Sequence, residues 1–511
     1  MKNVYENIYK NKILYLINTI ALLGTYMITM NFQITSDVLY SEMIGEVAKA
    51  PSLSEHLASG RYTNYLISWL YRFLNLFGIN KMHHQWILQL MGILVYAIAA
   101  CVLYRMFEKA LKLDKYSIIL NVLVLVCFIN PFIAETYVYV AFDWAVGILL
   151  AVLAAKYIVD RKYVKGWIFA FLAVSTYQCN IIMTLLFCVA VTFIEDYLKC
   201  VKLIKNVLIS GMLTLSAAIV NILIPKICLA LHITDEIIKQ TGVKDEWSLR
   251  LQWIFDIVRL CIIKAYGMLP NYFIPITVVL AFFAVSFTIL FQYGWKKIWI
   301  IFMWGFVVAG CMLVPFAPCF VSSTIGFPQR TLTPVFMGLS MILICSYAFL
   351  RNTKYLSKGF LIGTALGAAI MVYSTQTGLQ DCYIANAIDF YEAQEIQEAI
   401  EEYEAESGNE VTDIVVHRMG SIHYAYQEQH FQNVYTLYAH RLYYDAWADV
   451  NLLNYMFGEE YNRINMDEQY TDNTEYYQSL IQKYWDGKSW SHLDTDEQLV
   501  FDGNTMYWAL Y

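Results

Sequence analysis

The chain is short of charge. Only 15% of its 511 residues are Asp, Glu, Lys or Arg, against 59% hydrophobic ones. That balance excludes a soluble globular protein, in which about a quarter of residues are charged. Metal-type cysteine spacing is also missing, since no Cys-x-x-Cys occurs. Nearly all eleven cysteines lie inside apolar runs, Cys101, Cys127, Cys188 and Cys311 among them, where they act as small hydrophobes. Only Cys382 falls in the polar C-terminal region, which is therefore expected to fold without internal disulfides. Internal repeats and low-complexity tracts are absent. The first apolar run is too long for a signal peptide and no small-x-small cleavage site follows it, so it reads as a retained helix.

What the chain has is apolar runs of about 17–25 residues, the length that crosses ~30 Å of hydrocarbon. They fall at 13–33, 86–107, 117–134, 142–159, 166–178, 179–197, 206–231, 272–293, 298–316, 333–350 and 359–376. Basic clusters occupy every second gap: Lys2/Lys10/Lys12, Arg105/Lys109/Lys112/Lys115, Arg161/Lys162/Lys165, Lys199/Lys202/Lys205, Lys296/Lys297 and Arg351/Lys354/Lys358. The positive-inside rule then puts the N-terminus in the cytoplasm and the loop 34–85 outside. Eleven crossings put the C-terminal region outside as well. Residues 66–79 are apolar but short, with Arg72 in the middle, which suits an interfacial or re-entrant helix. Residues 38–49 read as an amphipathic surface helix, and 232–270 as a second large outer loop carrying Arg250, Arg259 and Lys264.

The composition changes near residue 380. From Asp381 onward there are 25 acidic residues against five Lys/Arg, which leaves the rest of the chain at about +13 within a total of −7. An acidic tail beside a basic membrane part argues against nucleic acid as a partner. Residues 385–406 read as a solvated amphipathic helix, 413–419 as a strand, and 500–511 as containing another strand with an Asp-Gly turn. The fold expected is an all-α polytopic membrane protein of about eleven transmembrane helices in residues 1–376. A small extracytoplasmic α/β or α+β domain follows in 377–511.

Several outer positions carry the chemistry. Asp37 follows the first span, and Arg61 lies a short segment away in Gly60-Arg61-Tyr62, with Glu42 between them. A carboxylate there suits a base that deprotonates an attacking hydroxyl, and a guanidinium suits the phosphate that leaves. Glu135 and Asp143 form a second acidic outer loop; Asp143 sits where a span begins, a costly place for a charge without a role or a partner. A helix N-cap is the plain alternative for it. Carboxylates from two loops can also share a divalent cation through oxygen ligands. Gln178 lies at an outer turn, and Arg330 just outside a span, placed to meet a phosphate bidentately or to anchor in lipid headgroups. His83-His84 do not share a helix face. His417, His423, His430 and His440 have no ligand-like grouping. The tail's Tyr and Trp residues are more simply core than sugar platforms.

Taken in order, the first span, Thr35-Ser36-Asp37, Gly60-Arg61-Tyr62, Asn130-Pro131-Phe132 with Glu135 and Phe142-Asp143-Trp144, Tyr177-Gln178 and 328–334 (PQRTLTP) resemble the GtrII-type glucosyltransferase family, within the C-type fold of membrane glycosyltransferases. The resemblance spans roughly residues 13–375. It implies a polyprenyl-phosphate sugar donor, a glucosyl unit above all, and a surface polysaccharide acceptor met at the outer face of the cytoplasmic membrane. It implies Asp37 as catalytic base, supported by Asp143 or by Glu135. Arg61, Glu135, Gln178, Arg330 and Glu42 would contact the substrates. Many C-type enzymes pair the base with a second acid, where this chain has Val38; dependence on a divalent cation stays open on that account. A polysaccharide polymerase or ligase, or a non-enzymatic transporter of lipid-linked sugar, are the competing readings. A transporter would carry charges deep inside several spans, whereas here they concentrate in loops.

Overall fold

A computed structural model describes residues 2–30, 52–79, 84–138, 141–235, 237, 247–320, 329–418, 441–444, 448–465 and 474–511. Asp37, Glu42 and the helix expected over 38–49 lie outside the described residues. The contacts separate two compact units, one up to residue 379 and one from residue 380 onward.

The first unit is helical throughout its described residues. In chain order it contains α1 (Lys2–Tyr26), α2 (Leu53–Ser59), α3 (Tyr62–Asn75), α4 (Gln85–Ala110), α5 (Ile118–Leu125), α6 (Pro131–Val138), α7 (Ala141–Val159), α8 (Tyr163–Val174) and α9 (Asn180–Asp196). It continues with α10 (Cys200–Ala230), α11 (Trp247–Val258), α12 (Phe273–Tyr293), α13 (Trp299–Leu313), α14 (Pro334–Leu350) and the start of α15 (Lys354–Ser407). Among the described residues, eight helices are long and apolar enough to cross a membrane, where the sequence pattern predicts eleven.

The difference falls on three runs. Residues 117–134 do not form one span: α5 stops at Leu125 and α6 starts at Pro131. Asn130 makes the break. Its Nδ2 donates to the carbonyls of Val126 (3.0 Å) and Cys127 (3.3 Å), closing α5, and its Oδ1 accepts from the N–H groups of Phe132 (3.1 Å) and Ile133 (3.0 Å), opening α6. Proline follows at the position where a missing N–H costs nothing. The other two runs become α8 and α9, of 12 and 17 residues. At 1.5 Å per residue these are about 18 and 26 Å long, below the ~30 Å of the hydrocarbon core. The outer loop expected at 232–270 is largely helical where it is described, through α11 and a π-helical turn at Arg259–Ile263. Arg250 is buried there, donating to the Cys319 carbonyl at 3.2 Å, not facing headgroups.

Small residues let the bundle close. A Cβ on Gly92 of α4 would come within 2.7 Å of the Ala141 Cβ at the start of α7. Gly147 of α7 is held more tightly still, because a Cβ would stand 2.4 Å from both the Thr176 hydroxyl and the Asn180 amide. Those two groups are bonded to each other at 2.8 Å and are buried. Helix α14 lies innermost, with nearly every residue buried. Helix α3 is the short segment expected at the interface. Ile67 and Tyr71 pack on Leu88 and Phe142, while Leu66, Trp69 and Phe73 stay exposed.

The second unit holds the remainder of α15, with β1 (Asp413–Arg418), α16 (Asp449–Phe457), β2 (Asn462–Asn465), α17 (Thr474–Tyr484), α18 (Thr495–Gln498), β3 (Leu499–Asp502) and β4 (Thr505–Leu510). The sheet order is β2-β1-β4-β3, with β1 parallel to β2 and β4, and β3 antiparallel to β4. Gly503, at φ +60°, supplies the tight turn between β3 and β4. Val415, Trp485, Tyr507 and Ala509 form the core beneath the sheet, and His417 lies flat on Trp485 at 5.3 Å. The helix is tied down by a buried network: Arg441 bonds Asp389 at 2.8 Å and also Glu392, which Tyr511 bonds from the other side. The span expected at 359–376 and the amphipathic helix at 385–406 are one continuous helix of 54 residues. Only Gly378 between them disfavours a helix, at a cost of about 1 kcal/mol.

Gly147→Ala forces the Thr176–Asn180 pair apart. Thermal unfolding of the detergent-solubilised protein is expected to show a loss of about 1–3 kcal/mol, whereas Gly211→Ala, where a Cβ meets nothing within 4 Å, is expected to leave stability unchanged or raise it.

Candidate functional site

The candidate residues that fall on described segments sit at helix ends, and the fold brings most of them to one place. Ser52 caps α2, its hydroxyl accepting from the Glu55 N–H at 3.3 Å. Gly60 ends that helix in the left-handed region, φ +70°, and the Arg61 N–H then returns to the His56 carbonyl at 2.9 Å. Only glycine adopts this conformation without cost. Arg61 is thereby the hinge residue between α2 and α3. The chain around it is fastened on both sides. Tyr62 donates to the Asn221 carbonyl of α10 at 3.2 Å, and the Thr63 hydroxyl meets Ser175 at 2.6 Å and the Leu172 carbonyl at 2.9 Å.

This anchoring puts the Arg61 guanidinium over the ring of Tyr177, 5.6 Å from its centroid. The Trp144 ring lies against the same tyrosine at 4.2 Å. Trp144 is the neighbour of Asp143 in the first turn of α7. Asp143 is not the helix N-cap; it accepts the hydroxyl hydrogen bond of Tyr71 from α3. Arg61, Tyr71, Asp143, Trp144 and Tyr177 thus form one chain of contacts drawn from three parts of the sequence. Gln178 is half-buried beside them, but the ring contacts run through Tyr177.

Arg330 reaches the same neighbourhood from a short 3-10 turn (Gln329–Leu332) that leads into α14. Its NH1 group lies 3.0 Å from Oε1 of Glu135, and its backbone N–H donates to Oε2. Glu135 is fully buried, whereas the Arg330 side chain is 21% exposed. The carboxylate is therefore enclosed in protein, while part of the Arg330 side chain stays accessible. Burial holds the Glu135 carboxyl above its ordinary value, and Arg330 offsets only part of that rise. The Arg330 carbonyl lies 4.0 Å from the Cys179 sulfur and accepts from the Thr333 hydroxyl at 2.8 Å. Cys179 is two residues from Tyr177, so the Arg330 turn lies beside the tyrosine that Arg61 covers.

On α6 itself, Tyr137 begins an aromatic floor: it stacks on Tyr26 at 3.9 Å and lies 5.6 Å from Tyr96. The Tyr26 hydroxyl donates to the Phe128 carbonyl at 2.8 Å, and Gln89 donates to that of Tyr137. This floor has no charged group of its own. Tyr71, Tyr177, Trp144 and the floor tyrosines were not singled out by sequence reasoning; Trp144 and Tyr177 did stand within the short motifs, beside the residues chosen. Among the described residues, no group of three or more His, Cys, Asp or Glu side chains converges to hold a metal ion.

Long apolar helices around a junction where two guanidiniums and two carboxylates meet define a polytopic helical membrane protein with a polar site at its helix ends. Its sequence matches the family model described as glucosyl transferase GtrII over residues 44–347, and the chain belongs to that family of membrane glycosyltransferases. No curated protein and no solved structure matches it.

Glu135→Ala is expected to cost about 3–5 kcal/mol, the usual penalty for breaking a buried pair from one side, read as a fall in melting temperature in detergent. Tyr71→Phe, which deletes one hydroxyl contact to Asp143, is expected to cost no more than about 1–2 kcal/mol in the same assay.

Proposed function

We propose that this protein transfers a glucosyl unit from a polyprenyl-phosphate carrier to a surface glycan at the outer face of the cytoplasmic membrane. The observation that supports the reading is Arg61 lying over Tyr177 while the Arg330 turn touches Cys179, two residues on, in a chain of the GtrII family. Two cations at one junction suit a phosphate: it leaves without needing a strong acid once its charge is met. The acceptor hydroxyl attacks the anomeric carbon, the bond from that carbon to the phosphate oxygen breaks, and the hydroxyl proton goes to Asp37. Asp143, oriented by Tyr71, supports the base or hydrogen-bonds the acceptor. Glu135 positions Arg330. Gln178 and Glu42 are further substrate contacts. In this reading the N-terminus is cytoplasmic and the acidic region 377–511 faces outward.

The test is release of polyprenyl phosphate by purified protein offered a panel of polyprenyl-phosphate sugars together with a glycan acceptor. Asp37→Asn is expected to fold and to lose about 10²–10⁴-fold in rate, the range that a positioned base supplies. Arg61→Ala is expected to raise KM for the donor more than it lowers kcat. Full release by Asp37→Asn removes that residue as the base. Binding of every donor lipid with release of none removes the enzyme reading in favour of transport.

A further inference from the structure

An apolar cavity lined by none of the residues of the charged junction lies between α12, α14 and the first part of α15. It has a volume of about 440 Å³, and Leu280, Leu343, Gly359, Gly363 and Met371 are among its walls. Helix α15 is fastened to the bundle at two levels. Near its start Phe360 stacks on Tyr347 of α14. Farther along, Ser374 donates to the Met268 carbonyl, and Gln376 to the Gly24 carbonyl at 3.1 Å. Beside the first level, and just beyond it, the helix leaves open space at two glycines. A Cβ on Gly359 or Gly363 would meet nothing within 4 Å.

A membrane does not leave such a slot empty, because hydrocarbon fills any apolar gap that it can enter. The dimensions select the occupant. From Leu339 to Leu350 the α14 wall is about 16 Å long at 1.5 Å per residue, close to one leaflet of a core ~30 Å thick. A volume of about 440 Å³ is many times the ~30 Å³ that one water takes in the liquid, room for a hydrocarbon chain and too little for a whole lipid. One end of the slot supplies charge. Leu350, Tyr355 and Leu356 line it there, next to Arg351 and Lys358, and Lys358 is exposed. Arg351 donates one NH2 contact to the Leu111 carbonyl at 2.9 Å, while its Nε has no hydrogen-bond partner.

We infer that this slot is a binding site for one anionic membrane phospholipid, with an acyl chain between α14 and α15 and the phosphate at Arg351 and Lys358. The site is separate from the sugar-transfer junction and does not depend on that reading. The bound lipid completes the packing of α15, which the protein's own side chains leave unfinished.

The full-length protein, purified in mild detergent and titrated with phosphatidylglycerol, tests this by native mass spectrometry. Wild type is expected to retain one phospholipid. Gly359→Leu and Gly363→Leu place side chains in the open space and are each expected to lower occupancy at least tenfold, with the melting temperature unchanged or raised in lipid-free detergent. Arg351→Gln approaches the same site from the headgroup and leaves the slot open; it is expected to weaken phosphatidylglycerol binding more than phosphatidylcholine binding. Equal retention by wild type and both leucine variants overturns the site. Retention of a prenyl phosphate in place of a diacyl lipid, lost in those variants, overturns the assigned occupant. Sugar transfer that fails in wild type while the lipid is retained counts against the proposed function and leaves this site standing.

Discussion

The buried carboxylate of Glu135 is the group on which the site's geometry depends. It lies 195 positions from Arg330 in sequence, and both of its oxygens are held by that one residue, one by the guanidinium and one by the backbone N–H. A charge with no exposed surface survives only with a partner of this kind. The pair joins α6 to the turn before α14, the most enclosed helix of the bundle. It also fixes the direction in which the half-buried guanidinium faces. Glu135 is buried because Asn130 ends one helix and begins another five residues earlier, so a polar side chain performs the structural act that makes room for the ionic one.

Around that pair, the polar groups work as supports for one another. Tyr71 holds Asp143, Thr63 and Ser175 lock the start of α3 to the end of α8, and Tyr177 lies between Arg61 and Trp144. No single helix carries the arrangement. It is assembled from several helix ends, and local devices set some of them: a left-handed glycine at Gly60, an asparagine that caps and closes at Asn130, a proline at the first turn of α6. Side chains fixed in this way lose little further freedom when a substrate arrives, which is how a site on short connections becomes as well placed as one on a rigid wall.

Much of this was legible in the sequence. Run length and the spacing of basic clusters gave the helical membrane architecture, and the short motifs around Arg61, Glu135, Asp143 and Arg330 marked residues that the fold gathers together. The strand at 413–418 and the Asp-Gly turn near the end were readable from β-branched residues and turn chemistry. The broken run at 117–134 was less so, because a window of mean hydropathy does not see that Asn130 satisfies four backbone groups at once. The continuity of α15 is hidden for the opposite reason: composition changes sharply near residue 380, and a change of composition does not reveal that the backbone stays helical across it. Tyr177 escaped notice since an aromatic residue among forty tyrosines carries no mark of its own; only proximity to Arg61 distinguishes it.

Helix α3 has a further meaning. Arg61 stands at its first turn, and the helix presents Leu66, Trp69 and Phe73 outward while Ile67 and Tyr71 face the bundle. An exposed apolar face of this kind suits contact with lipid, and where it meets lipid the depth of the helix is set in part by it. Tyr71 and Arg61 move with it, and with them the contacts to Asp143 and Tyr177. A thicker or thinner bilayer would pull this helix against its own hydrogen bonds, so the alignment of the guanidinium with the rest of the junction is a property of protein and membrane together.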